Sequence, residues 1–282
     1  MMKMSIVCGM LIAAAIPAFP QGNNLFAYRV GAFEVHLLVE ARSEGRASIL
    51  IGADDALIRR YIPTGSYQSA VNTFLVRGGG LTVLVDTGFG TTLFENLKAL
   101  GVSPEEVDAV LITHMHGDHT GGLQKDGKPL FPRARVYIAQ QERDFWAKTN
   151  GAVPLRVYGS RVETFLPGEL GSPLAELLPG ITPVAAFGHT PGHTLFLVSS
   201  EGQRLLIWAD LMHAMDIQFP APEVAVTYDT DPQAAVASRK RVLEYVVQNH
   251  IPIAGMHLPY PAIGDVQARG GVPGGYTFIP AR

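Results

Sequence analysis

A cluster of four potential metal ligands constrains this sequence more than any other feature. His114, His116, Asp118 and His119 lie within six residues, directly after the apolar run Asp108 to Thr113. In an extended segment, alternate side chains project to the same side, so His114 and His116 are predicted to point together. Burying four such polar groups for packing alone would be costly. The cluster therefore predicts a metal site at the end of a buried strand, with room for two ions.

The remaining ligands are predicted at the ends of other strand-like runs. The segment after Gly188 contains His189 and His193, and either histidine could bind metal. Asp210 follows the apolar run Leu205 to Ala209, and its two carboxylate oxygens could bridge two cations. His257 follows a shorter apolar run in the same way. Imidazole and carboxylate ligands together suit zinc.

The order of strand-like and helix-like segments predicts a layered α/β domain. Val71 to Val76 and Leu81 to Val85 flank a glycine-rich turn, which is typical of a β-hairpin. Helices are predicted from Thr91 to Leu100 and from Asp231 to about Asn249, each with an apolar stripe. The segment from Asn150 to Pro183, rich in glycine and proline, is predicted to be mostly loop.

Composition and the N-terminus limit the class of protein. The chain has 282 residues, 47% of them hydrophobic, and a net charge near −3, which excludes a disordered chain and argues against nucleic-acid binding. Residues 1–20 combine Lys3, an apolar run and small residues near Ala18, as a secretory signal peptide does; an uncleaved membrane anchor is the alternative. Residues 21–282 are then a single exported domain, periplasmic or secreted, with no membrane segment. Cys8, the only cysteine, lies within the predicted signal peptide.

The motif His-x-His-x-Asp-His, with the downstream histidines and aspartate, resembles the metallo-β-lactamase superfamily from about Val71 to the C-terminus. This resemblance implies an αββα sandwich with two divalent metal ions, Zn²⁺ above all, at the edge between the two sheets. It implies that His193 is a neighbouring structural residue and that Asp210 bridges the ions. The ligands it implies are His114, His116 and His189 for the first ion, and Asp118, His119 and His257 for the second.

Two segments, Ile207 to His213 and Val226 to Asp231, are similar to the methyl parathion hydrolase and acyl-homoserine lactone lactonase branch of that superfamily. Lactonases of this branch commonly have a tyrosine three residues after the bridging aspartate, where this chain has His213. The resemblance therefore implies that Asp118 and His213 are catalytic. His213 could donate a hydrogen bond to the substrate carbonyl or move a proton, and a structural role is the alternative. The expected substrate walls are apolar, and the candidate residues are Phe89, Phe145, Trp146, Met212 and Phe219.

Together these observations predict an exported dinuclear hydrolase. The two cations would lower the pKa of a shared water, and the resulting hydroxide would open lactones or aryl esters, including acyl-homoserine lactones. The alternatives are an organophosphate triester hydrolase, a thioester hydrolase like glyoxalase II, and a non-catalytic metal-binding protein of the same fold. The expected partner is a small ester or lactone, and relatives suggest a homodimer.

Overall fold

A computed structural model describes residues 24–272 and 274–282 of the chain. The predicted signal peptide and Cys8 lie outside this part. The described strands are β1 (Leu25–Val30), β2 (Phe33–Arg46), β3 (Leu50–Ile51), β4 (Ser66–Gly78), β5 (Leu81–Val85), β6 (Ala109–Ile112), β7 (Gln124–Lys125), β8 (Lys128–Pro129), β9 (Arg135–Ala139), β10 (Val162–Phe165), β11 (Ile181–Ala185), β12 (Thr194–Ser200), β13 (Gln203–Ile207), β14 (Ala225–Val226), β15 (Ile253–Ala254), β16 (Ile263–Ala268) and β17 (Tyr276–Pro280).

The described α-helices are mostly short. They are α1 (Asp55–Tyr61), α2 (Leu93–Ala99), α3 (Gly117–Thr120), α4 (Gln140–Trp146), α5 (Val153–Arg156), α6 (Met215–Gln218) and α7 (Pro232–Gln248). Within the described part of the chain, no helix has both the length and the apolar character that crossing a bilayer requires.

Two large sheets form the centre of the fold. The first has the strand order β1-β2-β4-β5-β6-β9-β10, and the second has the order β11-β12-β13-β15-β16-β17. In the first sheet β5, β6, β9 and β10 run parallel, while in the second β13 runs parallel to β15. The carboxyl ends of parallel strands meet at one edge, and the loops that leave β6, β13 and β15 contain predicted metal ligands.

The alternation of side chains along the strands explains the layers. On β4, Phe74 and Val76 belong to the core shared by the two sheets, whereas Leu75 faces a second core. That second core includes Leu93 and Leu97 of α2, so helices cover the outer face of the first sheet. Helix α7 covers the other sheet through residues such as Val242 of the main core. The predicted αββα sandwich is confirmed.

The predicted hairpin and both predicted helices are present. Phe74 pairs with Val85 across β4 and β5, and the turn contains Gly79 and Gly80 at positive φ. Helix α7 begins after Asp231, whose side chain accepts a hydrogen bond from the backbone N–H of Ala234 and so caps the helix. Helix α2 begins at Leu93, two residues later than predicted.

The segment from Asn150 to Pro183, predicted to be mostly loop, has neither helix nor strand over residues 166–180, but it contains more regular structure than expected. The segment contains α5 and β10, and β11 begins before its end. Strand β10 extends the first sheet by pairing in parallel with β9, which a glycine- and proline-rich composition does not reveal. Pro183 lies within β11, an edge strand of its sheet, where proline is tolerated because one side of the strand needs no N–H donor.

Candidate metal centre

The structure brings all seven predicted ligands together at the edge between the sheets. His114 and His116 follow β6, Asp118 and His119 lie in α3, His189 follows β11, Asp210 follows β13, and His257 follows β15. The possible ligand atoms of His114, His116, His189 and Asp210 lie within 4.8 Å of one another, and those of Asp118, His119 and His257 do the same. These two spatial groups contain the same histidines and Asp118 as the two ligand sets that the resemblance implies, and Asp210 falls in the first group.

In the first group, three ring nitrogens converge. Nδ1 of His116 lies 3.0 Å from Nε2 of His114 and 3.0 Å from Nε2 of His189. Neutral imidazole has one donor nitrogen and one acceptor nitrogen, so three nitrogens at this spacing cannot all satisfy one another. Three inward-facing lone pairs suit a cation, and the donor set fits zinc.

Hydrogen bonds behind the rings fix which nitrogen faces the centre. Nδ1 of His119 lies 2.7 Å from a carboxylate oxygen of Asp86, and Nδ1 of His189 lies 2.9 Å from Asp229. Nδ1 of His257 lies 2.8 Å from the carbonyl oxygen of Ala70. Because each Nδ1 has an acceptor, its N–H points outward and Nε2 presents its lone pair to the centre. Such outer partners are characteristic of metal-binding histidines.

Asp210 lies between the two groups. Its Oδ2 is 2.9 Å from Nε2 of His257 and 3.3 Å from Nε2 of His189, and its Oδ1 is 3.1 Å from Nε2 of His119. Within the described chain, neither Oδ1 of Asp210 nor Nε2 of His119 has a hydrogen-bond partner, although both are buried. Two unsatisfied ligand atoms at the contact of two histidine groups fit a carboxylate that bridges two cations.

Asp118 differs from the other carboxylate. Its side chain is 26% exposed, whereas that of Asp210 is 2% exposed. One Asp118 oxygen lies 3.6 Å from Nε2 of His257 and 3.7 Å from Nε2 of His119. Asp118 therefore belongs to the second group and also faces the cavity described below.

Two opposed effects set the pKa values of the histidines at the centre: burial lowers them, and the negative charge of Asp210 raises them. Burial lowers the pKa of His116 to about 4. Burial would also lower the pKa of His189, but hydrogen bonds to Asp210 and Asp229 raise it to about 9. For His119, the carboxylates of Asp210 and Asp86 likewise overcome burial and hold the pKa well above its usual range. The buried Asp210 carboxylate therefore favours positive charge beside it.

His193 uses both ring nitrogens inside the protein. Its Nδ1 donates to the carbonyl oxygen of Ala186 at 2.9 Å, and its Nε2 accepts a hydrogen bond from the backbone N–H of Asp210 at 3.1 Å. Burial lowers the pKa of His193 to about 3, which keeps the ring neutral and Nε2 an acceptor. His193 thus positions the Asp210 backbone, in agreement with the structural role predicted for it.

His213 lies at the centre, as predicted. Its Nε2 is 3.1 Å from Oδ2 of Asp210, and its ring stacks on His257 at 4.7 Å between centroids. The backbone N–H of His213 donates to Oε1 of Gln218, which fixes the turn that carries it. Nδ1 of His213 is buried without a partner in the described chain. The ring is therefore close enough to act beside the metal centre.

A cavity of about 690 Å³ opens onto the centre, and only part of its predicted wall is correct. Phe89 lines the cavity as predicted. Met212 and Phe219 are instead buried in the main core. Phe145 and Trp146 lie on α4, outside the lining. Tyr67 and Tyr228 also line the cavity and were not predicted, because no local sequence pattern distinguishes a tyrosine that faces a cavity from one that packs in the core.

Buried acidic residues that support the loops were also missed. Glu40 accepts hydrogen bonds from the backbone N–H groups of Thr91 and Thr92, each at 2.9 Å, and so supports the loop that leads from Asp86 to α2. Glu142 is fully buried in α4 beside the metal-binding loops. A single glutamate in a helix or strand gives no sequence signal of such a supporting role. Asp229, in contrast, lies in the segment from Val226 to Asp231, which resembles known hydrolases.

The sequence matches one family model over most of its length and is similar to known proteins over shorter stretches. Residues 67–250 match the family model described as the metallo-β-lactamase superfamily. The anti-Pycsar protein Apyc1 of Paenibacillus sp. (strain J14) is 40% identical over 76 residues, which are 27% of each chain. This chain thus spans about a quarter of the length of that relative.

Two solved structures are similar over almost their whole length. The hydrolase AbOPH of the beta lactamase superfamily is 28% identical, with a TM-score of 0.81 over 93% of this chain and 99% of that one. AidC, a dizinc quorum-quenching lactonase in complex with its product N-hexanoyl-L-homoserine, is 25% identical, with a TM-score of 0.81 over 92% and 98%.

Proposed function

Since the chain belongs to the metallo-β-lactamase superfamily, we propose that it is a dinuclear zinc hydrolase that opens lactones or aryl esters. The observation that carries the proposal is the convergence of seven side chains around the bridging position of Asp210. The similarity to the dizinc lactonase AidC over nearly the whole chain supports a lactone as substrate.

The residues present fit two divalent cations. The first would be held by His114, His116 and His189, and the second by Asp118, His119 and His257, with Asp210 shared. When bound, two such cations lower the pKa of water between them and polarise the substrate carbonyl.

Two side chains of the cavity can handle protons and orient the substrate. The Asp118 carboxylate is partly exposed to the cavity, where it can accept a proton from the attacking water and return it to the leaving oxygen. His213 lines the same cavity and can donate a hydrogen bond to the carbonyl oxygen of the ester.

One wall of the cavity suits an elongated substituent. Strands β2 and β4 form a ribbon in which Ala41 pairs with Val71, Ser43 with Ser69, and Gly45 with Tyr67. All six residues line the cavity, and so do Glu44 and Arg46 of β2. Because Ala41 and Ser43 are small, they leave room for a groove along the strand, which ends where the Tyr67 ring covers Gly45. From residue 41 to residue 45 this wall spans roughly 13 Å at about 3.3 Å per residue.

Tyr67 gives this groove a hydrogen-bond donor. A Cβ atom on Gly45 would collide with the Tyr67 ring, so the ring lies directly against the glycine. Burial raises the pKa of Tyr67 to about 12, so the hydroxyl keeps its proton at neutral pH. The groove is therefore suited to an acyl arm that carries a carbonyl or hydroxyl oxygen.

The proposal is tested by turnover of a substrate panel by the zinc-loaded protein. The panel contains hexanoyl-homoserine lactone, dihydrocoumarin, paraoxon, lactoylglutathione and a cephalosporin. We expect the highest kcat/KM for one of the two lactones. A preference for paraoxon would replace the proposal with the triesterase alternative, and a preference for lactoylglutathione with the thioesterase. Two bound zinc ions without turnover of any ester would indicate a non-catalytic metal-binding protein.

Export is a separate proposal, based on the N-terminal sequence alone. Residues 1–20 would direct the chain across the inner membrane and be removed. Cell fractionation and the intact mass of the recovered protein test this. A cytoplasmic protein, or an exported protein that keeps its first 20 residues, would contradict it.

A further inference from the structure

We propose that Glu142 is a positioning residue that holds the two loops of the first metal site in register, an inference that rests on the proposed centre. Glu142 lies in α4, is fully buried, and is not among the possible metal ligands of the described chain. Its carboxylate instead joins the loop that carries His114 and His116 to the loop that carries His189.

Four hydrogen bonds make this connection. Oε1 accepts from the backbone N–H of Met115 at 2.9 Å and from Nε1–H of Trp146 at 2.6 Å. Oε2 accepts from the hydroxyl of Thr190 at 2.7 Å and from the backbone N–H of Gly192 at 2.9 Å. Met115 lies between the two histidines of the first loop, and Thr190 directly follows His189. Each oxygen of the carboxylate therefore holds one loop.

The packing of α4 against the two loops also connects this helix to the first metal site. A Cβ atom on Gly192 would lie 2.3 Å from the backbone nitrogen of Glu142, so the second loop lies directly against α4. The ring of Trp146, one helical turn after Glu142, meets the edge of the His116 ring at 5.8 Å between centroids. Helix α4 thus contacts the first metal site through both Glu142 and Trp146.

Glutamine cannot replace Glu142 at this position. An amide has one acceptor oxygen, so its NH₂ group would face the backbone N–H of either Met115 or Gly192, and these groups can only donate; the Thr190 hydroxyl alone could turn and accept. One of the two loops would lose its backbone anchor, and a buried N–H would be left unpaired. His189 would then shift relative to His114 and His116. The second site would be spared, since Asp86 and Ala70 orient His119 and His257 independently of α4.

The experiment is a zinc titration of the metal-free protein against a chromophoric chelator, which resolves the affinities of the two ions without any substrate. We expect Glu142→Gln to weaken one of the two ions by about 10- to 100-fold, the usual effect of losing an outer partner of a metal ligand, and to leave the other unchanged. The matched control is Glu163→Gln. Glu163 lies in β10 and forms an exposed ion pair with Arg135 of β9, so this substitution should change the affinity for neither ion.

The outcomes separate the inference from the proposed function. Wild-type affinities for both ions in Glu142→Gln would overturn the role of Glu142, as would equal weakening of both, which indicates a general loss of structure. A wild-type protein that binds no zinc would overturn the proposed centre itself. Should Glu142→Gln not fold, Thr190→Val and Trp146→Phe each remove one hydrogen bond and keep the carboxylate. Unchanged affinity in both of these variants would also overturn the inference.

Discussion

At the scale of single residues, four ligand histidines are each oriented by a group behind the ring, namely His114, His119, His189 and His257. Thr113 shows this in a chain of two bonds: its hydroxyl donates to Asp86 at 2.6 Å, and its oxygen lies 3.0 Å from Nδ1 of His114. Since the hydroxyl proton is used by Asp86, the oxygen accepts from His114 and leaves Nε2 for the centre. Asp86 therefore orients His119 directly and His114 through Thr113.

The central carboxylate gives the first prediction. Asp210→Asn replaces one oxygen by an NH₂ group, which must face histidine nitrogens or cations on at least one side. We expect the dialysed variant to retain at most one zinc per chain instead of two, as measured by inductively coupled plasma mass spectrometry. Asp126→Asn, at an exposed turn, is the control and should retain two. Two ions retained in Asp210→Asn would exclude a bridging role.

His213 gives the second prediction, through its possible donor role. His213→Phe removes the donor while keeping an aromatic ring beside His257. We expect kcat for a lactone to fall by about 100-fold, as for the loss of one oxyanion donor, with zinc content unchanged. His213→Tyr restores a donor and should retain or improve lactone hydrolysis. A kcat near the wild-type value in the phenylalanine variant would assign His213 a purely structural role.

At the scale of elements, the ribbon of β2 and β4 sets the shape of the proposed acyl groove. Ser43→Leu fills the middle of the groove with a larger side chain. We expect kcat/KM for dodecanoyl-homoserine lactone to fall by roughly 10-fold, from overpacking of about 1.4 kcal/mol, while that for butanoyl-homoserine lactone stays unchanged. Gln68→Leu, on the neighbouring strand but outside the cavity lining, is the control. An equal effect on both chain lengths would place the acyl arm elsewhere.

Helix α7 carries a buried cation that supports the turn after Asp210. Nε of Arg239 donates to the carbonyl oxygen of Leu211 at 2.7 Å, and another nitrogen donates to those of Pro222 and Val224. Burial lowers the pKa of Arg239 to about 10, which still leaves it charged at neutral pH. The Arg239 side chain therefore binds three carbonyl groups of the segment that connects the site to α7.

Removing this side chain should destabilise the fold. Arg239→Met removes the side-chain donor of the Leu211 and Pro222 carbonyl oxygens, while that of Val224 keeps Gln218, and we expect the free energy of unfolding to fall by about 3 kcal/mol. Urea denaturation with matched zinc measures this, with Lys240→Met on the exposed side of α7 as the control. A loss no larger than that of the control would mean that water satisfies these carbonyl groups.

The elements also show what the sequence can and cannot predict. Periodicity and capping residues predicted the hairpin at Gly79 and Gly80 and the helix after Asp231, because those signals are local. Strand β10 was missed because only its pairing with β9 stabilises it. The residues of β2 and β4 that line the cavity were not predicted either, because their position depends on how the two strands pair. Whether Met212 lines a cavity or fills a core depends on neighbours distant in the chain.

At the scale of the whole molecule, two sheets bring together residues that the chain separates widely. His114 comes from the first sheet, whereas Asp210 and His257 come from the second, and the centre lies where the edges of the sheets meet. Part of the ligand set was predictable because His114, Asp210 and His257 directly follow apolar runs, whereas the choice of His189 over His193 came from the family resemblance. The groups that orient the ligands, such as Glu142 and Asp229, were not, since their partners are fixed only by packing.

A crystal of the zinc-loaded protein, measured on both sides of the zinc absorption edge, tests the central claim most directly. Two anomalous peaks are predicted, one among His114, His116 and His189 and one among Asp118, His119 and His257, with Asp210 reaching both. A single peak, or peaks that Asp210 does not contact, would contradict the dinuclear centre.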